Sequence, residues 1–440
     1  MAAAFCAMTT GCVPRLTFNP QELYVLPELP AQYTELSGLL GGILSDGAEY
    51  AAPASGTNIQ PVQMVDLDGD GIQEAMAFFR NSGDEKPLKI CIFSAEGNSY
   101  RLSDMIEGSG TAIYSVLYTD LDGDGRLEIA VGWRVAAEVK VLEVYALDRD
   151  GIRSLVRTDY VKYEIADLDG DGKQGLVVLR NNEEGDSAAE YYSWQADGGM
   201  TSRTPVPISA TMAELSQQGR VVRGTLRDGS GALFVTGVTA EQTAMTDILT
   251  MRGGEISNIA LSEATGLSGE ISPFCSLYPT DINNDGVTEV PRPITLLTPW
   301  GEESQLIEWR DYVPRGVSSP VLRTFHDLED GWFLRLPPAW GDKVLVNRTP
   351  LNGEAAVTFY IRGKGAADSR PFLRISALTG SGREMRSVRG ERFVLSRQRV
   401  ETIYTAELLD ANSAWEHGMT EEEVRAAFSL IQKEWLPNDN

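Results

Sequence analysis

Between residues 50 and 325 the chain repeats one pattern of apolar and polar positions. An alternating stretch ("QPVQMV", "IYSVLYT", "VKYEIA") runs into a short acidic turn, and an almost wholly apolar stretch ("EAMAFFR", "EIAVGWR", "GLVVLR") leaves it. Alternation with a period of two predicts a half-buried strand, and a short apolar run predicts a strand buried on both faces. Further strands are predicted at Leu88–Phe93 and Val139–Leu147. The acidic turns start at Asp66, Asp120, Asp167 and Asp281, at intervals of 54, 47 and 114 residues. The last interval is about twice the others and calls for a worn copy near residue 225, where "GTLRDGSGALFVTG" keeps a Leu, an Asp-Gly turn and the apolar run Ala232–Val235. Three to four short strands in each unit of roughly fifty residues predict a β-propeller of about five blades over residues 50–327, with a β-sandwich as the alternative.

The flanks read differently. Residues 13–49 form a linker ending in a short amphipathic helix, because Tyr33, Leu36, Leu40 and Ile43 fall at helical spacing within Gln32–Ser45. From Leu328 the texture changes to longer strands, predicted at Val344–Asn347, Ala355–Arg362, Phe372–Ala377 and Glu401–Leu408. A closing helix is predicted from a capping box, Thr420 with Glu423, followed by Val424, Phe428, Ile431 and Trp435 on one face. Residues 328–440 thus read as a small α+β domain after a mainly β repeat domain. The opening "DGWFLRLPPAW", the antiparallel strands and the final helix resemble the PsbP-like fold.

Charge changes the picture of partners. With 63 acidic against 38 basic side chains the formal net charge is −25, which excludes a nucleic-acid backbone as partner and opposes unassisted adhesion to anionic lipid. Cys91 and Cys275 lie in apolar segments and are expected as two buried free thiols rather than a disulfide. "MAAAFCAMTTGC" resembles the tail of a bacterial lipoprotein signal peptide, with Thr9, Thr10 and Gly11 before Cys12 as the lipidated cysteine. It departs from that pattern at Thr9, where Leu is usual, and in having no basic residue before the apolar run. The resemblance implies an extracytoplasmic protein held to the outer face of a bacterial membrane through that anchor alone.

The acidic turns carry the candidate chemistry. Oxygens at positions 1, 3 and 5 of a tight turn converge on one point, a glycine follows for the sharp bend, and an acid at position 9 closes the shell. Such a set of hard oxygens suits Ca²⁺, whereas softer metals favour His or Cys. An EF-hand is excluded, because position 12 holds Ala77, Val131, Val178 and Arg292 instead of Glu, and because β-rich stretches follow the turns. A strand–DxDxDGxxE–strand unit repeated four times resembles the FG-GAP/VCBS repeats, the calcium-loop blades of integrin-type propellers. The ligands this implies are Asp66, Asp68, Asp70 and Glu74; Asp120, Asp122, Asp124 and Glu128; Asp167, Asp169 and Asp171; and Asp281, Asn283, Asp285 and Glu289. The third turn has Gly175 in place of the closing acid, so weaker binding with a water in that place is expected. The worn unit should bind nothing, and "DLEDG" at Asp327 reads as a plain turn.

Catalytic motifs are missing. The sequence has no GxSxG elbow, HExxH, Walker loop or GxGxxG opening a helix. His326 and His417 are expected as surface side chains, and Tyr191, Tyr192 and Trp194 as blade core and rim rather than a carbohydrate-stacking surface. The reading is a non-catalytic, calcium-stabilised surface lipoprotein that binds a ligand, wall polymer or protein partner through its propeller. The alternative is an envelope polysaccharide lyase or hydrolase on the same scaffold.

Overall fold

A computed structural model describes residues 34–96, 99–148, 151–301 and 303–432. The expectations for Cys12, Tyr33 and Trp435 fall outside the described residues. The chain is mainly β, and its described residues form six antiparallel sheets. The first is Val62–Val65, Glu74–Arg80, Leu88–Glu96 and Ser99–Gly108, with Glu49–Tyr50 added at one edge. The second is Ala112–Thr119, Glu128–Arg134, Lys140–Asp148 and Gly151–Tyr160. The third comprises Lys162–Ala166, Gly175–Asn181, Ser187–Trp194 and Met200–Ser202, and the fourth Arg220–Thr225, Gly231–Val238, Thr243–Arg252 and Glu255–Asn258. Short strands at Val206–Pro207 and Ile271–Pro273 extend these last two.

The second strand of each of these four sheets is the apolar run, and its two faces divide by alternate residues between two neighbours. On Glu128–Arg134, Ile129, Val131 and Trp133 pack with Met76 and Phe78 of the first sheet, while Ala130 joins Leu176 and Val178 of the third. On Gly175–Asn181 the other face, Val177 and Leu179, meets Leu233 and Val235 of the fourth sheet. Phe234 in turn packs with Val290 and Tyr312 of the fifth. The sheets therefore stack in chain order, and strands buried on both faces lose the polar alternation of a solvent-facing strand. The helix Thr34–Ser45 covers the outer face of the first sheet, with Leu36 and Leu40 against Ala75, Phe79 and Phe93. Among the described residues no shared apolar cluster joins the first sheet to the last.

The fifth sheet runs Val290–Leu297, Glu303–Tyr312, Ser318–Asp327, Trp332–Leu336 and Phe428–Leu430. Its hairpin pairs His326 with Phe333 across the sequence position where the change of texture placed a boundary. The sixth is Val344–Leu351, Glu354–Ile361, Arg370–Leu378, Ile403–Leu408 and, at its edge, Phe393–Ser396. A core of Trp332, Trp340, Phe359, Phe372 and Tyr404 lies between the two.

Two expectations are corrected. The capping box forms as read, with the Thr420 and Glu423 side chains each accepting the other's backbone N–H. The helix, however, ends at Ala427, and Phe428–Leu430 pairs with Trp332–Leu334 as a strand. The Phe428 ring stacks on Trp332 at 5.6 Å, so an open sheet edge and an aromatic partner override the helical spacing. His326 is not a surface side chain: both ring nitrogens are buried, and the ring stacks on Phe333. Cys91 and Cys275 are buried free thiols, each pushed up to about 11 by burial.

Candidate metal centre

Each of the first three acidic turns joins the first and second strands of a sheet. The fourth does so in reduced form, because its first strand is only the bridge between Thr280 and Glu289. The residue at position 2 is buried in every unit: Leu67, Leu121, Leu168, Ile282 and, in the worn copy, Leu226. That apolar anchor fixes the loop while the acids beside it stay near solvent.

Within the loops the carboxylates first satisfy backbone donors. In the first three loops the position-1 aspartates accept the N–H of positions 4 and 6, as in Asp66 from Gly69 at 2.8 Å and Gly71 at 2.9 Å, whereas Asp281 accepts from positions 5 and 6. Asp120 repeats this with Gly123 and Gly125, and Asp167 with Gly170 and Gly172. Asp68 and Asp122 accept from Asp70 and Asp124, and Asp70, Asp124 and Asp171 accept from the N–H two residues on. Gly69 has φ +74°, and a Cβ there would lie 2.5 Å from the Gly125 carbonyl of the next loop, so only glycine fits.

A carboxylate pair of oxygens offers about four acceptor sites, so these bonds leave capacity for a cation. Three sets of ligand atoms lie within 4.8 Å of one another: Asp66, Asp68 and Asp70; Asp120, Asp122 and Glu128; and Asp167, Asp169 and Asp171. Glu74 and Asp124 fall outside these tight sets. Glu74, Glu128 and Glu289 are buried, and each accepts the position-2 N–H, at 2.9, 2.8 and 3.2 Å. Burial first, then the neighbouring aspartates, push Glu128 and Glu289 up to about 7 and raise Glu74; backbone N–H donation works against both. Asp169 is raised by burial and by Asp171 and Asp167. Carboxylates that raise one another in this way are the electrostatic signature of a place that favours positive charge.

The third loop closes differently from expectation. A Cβ on Gly175 would lie 2.2 Å from the Tyr191 ring and hydroxyl, so a tyrosine from the third strand occupies the place of the missing acid. Its hydroxyl lies beside the Leu168 N–H, on the side where Glu74, Glu128 and Glu289 stand elsewhere, and within the field of Asp167, Asp169 and Asp171. Sequence reading placed Tyr191 in the core, where it is, but missed this role; the glycine in an acid's position was the signal. In the fourth loop the Asn283 amide nitrogen donates to Asp285 at 2.8 Å and to Glu289 at 3.3 Å. There an internal N–H donor reaches the acids at positions 5 and 9. Asn284, φ +59°, stands at the position of Gly69, Gly123 and Gly170.

The loops also touch one another. Leu127 N–H donates to Leu67 O at 2.8 Å, and Gln174 N–H to Leu121 O at 2.6 Å, so position 8 of one loop bonds position 2 of the loop before it. Thr288, again position 8, donates to Thr225 O at 2.9 Å. The worn turn carries Arg227, which forms a bidentate ion pair with Asp311 of the fifth sheet. "DLEDG" is a turn, in which Asp327, Glu329 and Asp330 surround the Arg348 guanidinium.

No family model and no curated protein sequence matches the chain. Solved structures similar to it include the Pseudomonas aeruginosa PilY1 C-terminal domain, at 10% identity and a TM-score of 0.27 over 76% of this chain and 87% of that one. GH43B of the Bacteroides ovatus xyloglucan PUL follows at 12% identity and 0.24, over 82% and 79%. AofleA from Arthrobotrys oligospora has 9% identity and 0.24, over 75% and 91%. At these scores the likeness assigns no activity to the chain.

Proposed function

We propose that this chain is a non-catalytic, calcium-stabilised extracytoplasmic protein of the FG-GAP/VCBS kind. In this reading residues 50–327 are the blades of a propeller, residues 328–440, which add Trp332–Leu336 and Phe428–Leu430 to the fifth sheet, a PsbP-like appendage, and Cys12 the site of a lipid anchor. The propeller then presents its surface to a ligand, wall polymer or protein partner. The observation that carries the calcium reading is the convergence of three carboxylates on each of three successive loops, from positions 1 and 3 in all of them with position 5 in the first and third and position 9 in the second. Calcium accepts six to eight oxygens at flexible geometry, which such mixed sets of carboxylate, hydroxyl and carbonyl oxygens suit. Extracellular sites of this class bind with dissociation constants of about 10⁻⁴ to 10⁻³ M. At tenfold excess each site adds about 1.4 kcal/mol to stability.

The test is thermal unfolding of residues 13–440 in millimolar calcium, in magnesium and in chelator. A rise in the transition specific to calcium, reduced by Asp122→Ala, is the expected result. No shift would return the aspartates to the role of solvated turns. Mass spectrometry of protein from a bacterial envelope fraction tests the anchor, with acylated Cys12 expected and an unmodified thiol refuting it.

A further inference from the structure

At the end of the sixth sheet the chain leaves Leu378, runs through a short helix, Arg383–Ser387, and returns by the edge strand Phe393–Ser396. One side of this helix is tied to the sheet. Arg386 donates to the carbonyls of Gly353 and Thr379, Arg392 pairs with Glu354 at 2.7 Å, and the buried Ser387 hydroxyl bonds Glu384 O at 2.8 Å. The opposite side carries Met385 and Val388, 78% and 70% exposed, which share a face because they stand three residues apart across the helix and its C-cap. Val400, 89% exposed, is brought beside them by two contacts. Arg383 Nη2 donates to Val400 O at 3.3 Å, and Arg397 pairs with Glu384 at 2.6 Å. Among the described residues the one other large apolar side chain exposed to this degree is Leu297, at 71%, on the fifth sheet.

Arginine surrounds these apolar side chains. Between residues 383 and 401 stand Arg383, Arg386, Arg389, Arg392, Arg397 and Arg399, against Glu384, Glu391 and Glu401. Arg392 and Arg397 are matched by Glu354 and Glu384, and Arg399 bonds the carbonyls of Asp330 and Gly331 beside an acidic turn. Arg383 and Arg386 bond carbonyls, which satisfy an N–H without cancelling its charge, and Arg389 is exposed just past the helix. Even with Glu354 counted, arginines outnumber acids here, in a chain whose formal net charge is −25. Protruding apolar side chains set among guanidiniums suit a bilayer interface, where headgroups and acyl chains yield around each side chain and phosphates answer the arginines.

We propose that this surface docks on an anionic lipid membrane, with Met385, Val388 and Val400 entering the headgroup boundary and Arg383 and Arg389 meeting lipid phosphates. The inference deepens the reading of a lipid-anchored protein and rests on it. An anchor supplies the local concentration at which a small contact suffices. The contact then decides which side of an otherwise acidic body faces the bilayer.

Cosedimentation of the full, unacylated chain in calcium with phosphatidylcholine vesicles, with and without phosphatidylglycerol, tests it. Binding to the anionic vesicles that weakens with salt, and none to the neutral ones, is expected. Met385→Ser together with Val388→Ser should weaken that binding at least about tenfold. Arg389→Glu should weaken it and reduce its salt dependence. Leu297→Ser, as exposed but on another sheet, should leave it unchanged. All these side chains face solvent, and an unchanged melting temperature shows that each variant is folded. No binding to anionic vesicles, or binding that neither the serine pair nor Arg389→Glu alters, overturns the proposal. The second result is what calcium bridging between the acidic loops and lipid phosphate would give. Self-association removed by the serine pair, without vesicle binding, would give the surface to a second copy of the chain and overturn it too. Mass spectrometry of Cys12 keeps the two readings apart. An acylated Cys12 without vesicle binding defeats the surface alone, and an unmodified Cys12 defeats the anchor whatever the vesicles show.

Discussion

His326 sits on the strand Ser318–Asp327, its ring stacked on Phe333 at 5.0 Å between centroids and 9° between planes, with Trp309 5.9 Å away. Both ring nitrogens are buried without a partner. A proton arriving there meets neither water nor carboxylate, so burial pushes the group down to about 3 from an ordinary 6.5. Above pH 6.5 this residue is neutral in the folded and unfolded states alike, and its contribution to stability is fully present. As pH falls below 6.5, the unfolded chain takes up a proton that the folded chain refuses. Stability then drops by about 1.4 kcal/mol per pH unit until the folded value is reached. Between pH 7.5 and 5.0 the loss is about 2 kcal/mol. His326→Phe keeps a stacked ring, removes the titration and leaves no buried nitrogen unpaired. Urea unfolding of both proteins at the two pH values, in saturating calcium and followed by tryptophan fluorescence, isolates the effect, because titration of the carboxylates cancels in the difference. The wild type should lose about 2 kcal/mol more than the variant on acidification. Equal losses would show that the imidazole is charged or hydrated in the fold, and would refute the reasoning.

Three further outcomes follow from the loops. Tyr191→Phe removes the hydroxyl that stands in the place of the closing acid, so it should lower the calcium stoichiometry by one in equilibrium dialysis; an unchanged stoichiometry would remove the tyrosine from the site. Asn283→Asp exchanges an amide donor for a fourth acid, so it should lower the melting temperature in chelator and raise it above wild type in calcium. A shift of the same sign in both conditions would contradict that account. Asp311→Asn should destabilise by about 1 kcal/mol, since Arg227 is 40% exposed and the pair is screened, with equal loss in calcium and chelator; a calcium-dependent loss would place a cation at the worn turn.

Strands and their order were legible because burial on both faces leaves a direct mark, the uninterrupted apolar run. The acidic turns were legible because the repeated pattern carries residue type and spacing together. What stayed hidden depends on partners distant in sequence. Nothing around Gly175 reveals that Tyr191, on the neighbouring strand, fills its place. The strand at Phe428 depends on an edge offered by Trp332–Leu334, and the local spacing of Val424, Phe428 and Ile431 fits a helix equally well. His326 reads as an ordinary polar residue until Phe333 is seen stacked upon it.

The worn unit clarifies what the acidic loops do for the fold. With Leu226 at position 2, buried as Leu67, Leu121, Leu168 and Ile282 are, Arg227 falls at position 3, where Asp68, Asp122, Asp169 and Asn283 stand in the other units. The unit that keeps only Asp228 of its acids carries a cation in its turn, and the guanidinium reaches the carboxylate of Asp311 on the next sheet. The fourth loop makes a smaller change of the same kind, because the Asn283 N–H₂ donates to Asp285 and Glu289. The third replaces its closing acid with the neutral hydroxyl of Tyr191. Each departure from the full acidic pattern either brings in positive charge or donor hydrogen, or removes negative charge. That is the behaviour required where uncompensated carboxylates would repel one another across loops already bonded in a ladder. The two loops that keep every acid, at Asp66 and Asp120, are the ones in which the sequence supplies no internal substitute, and these two should depend most on calcium from outside.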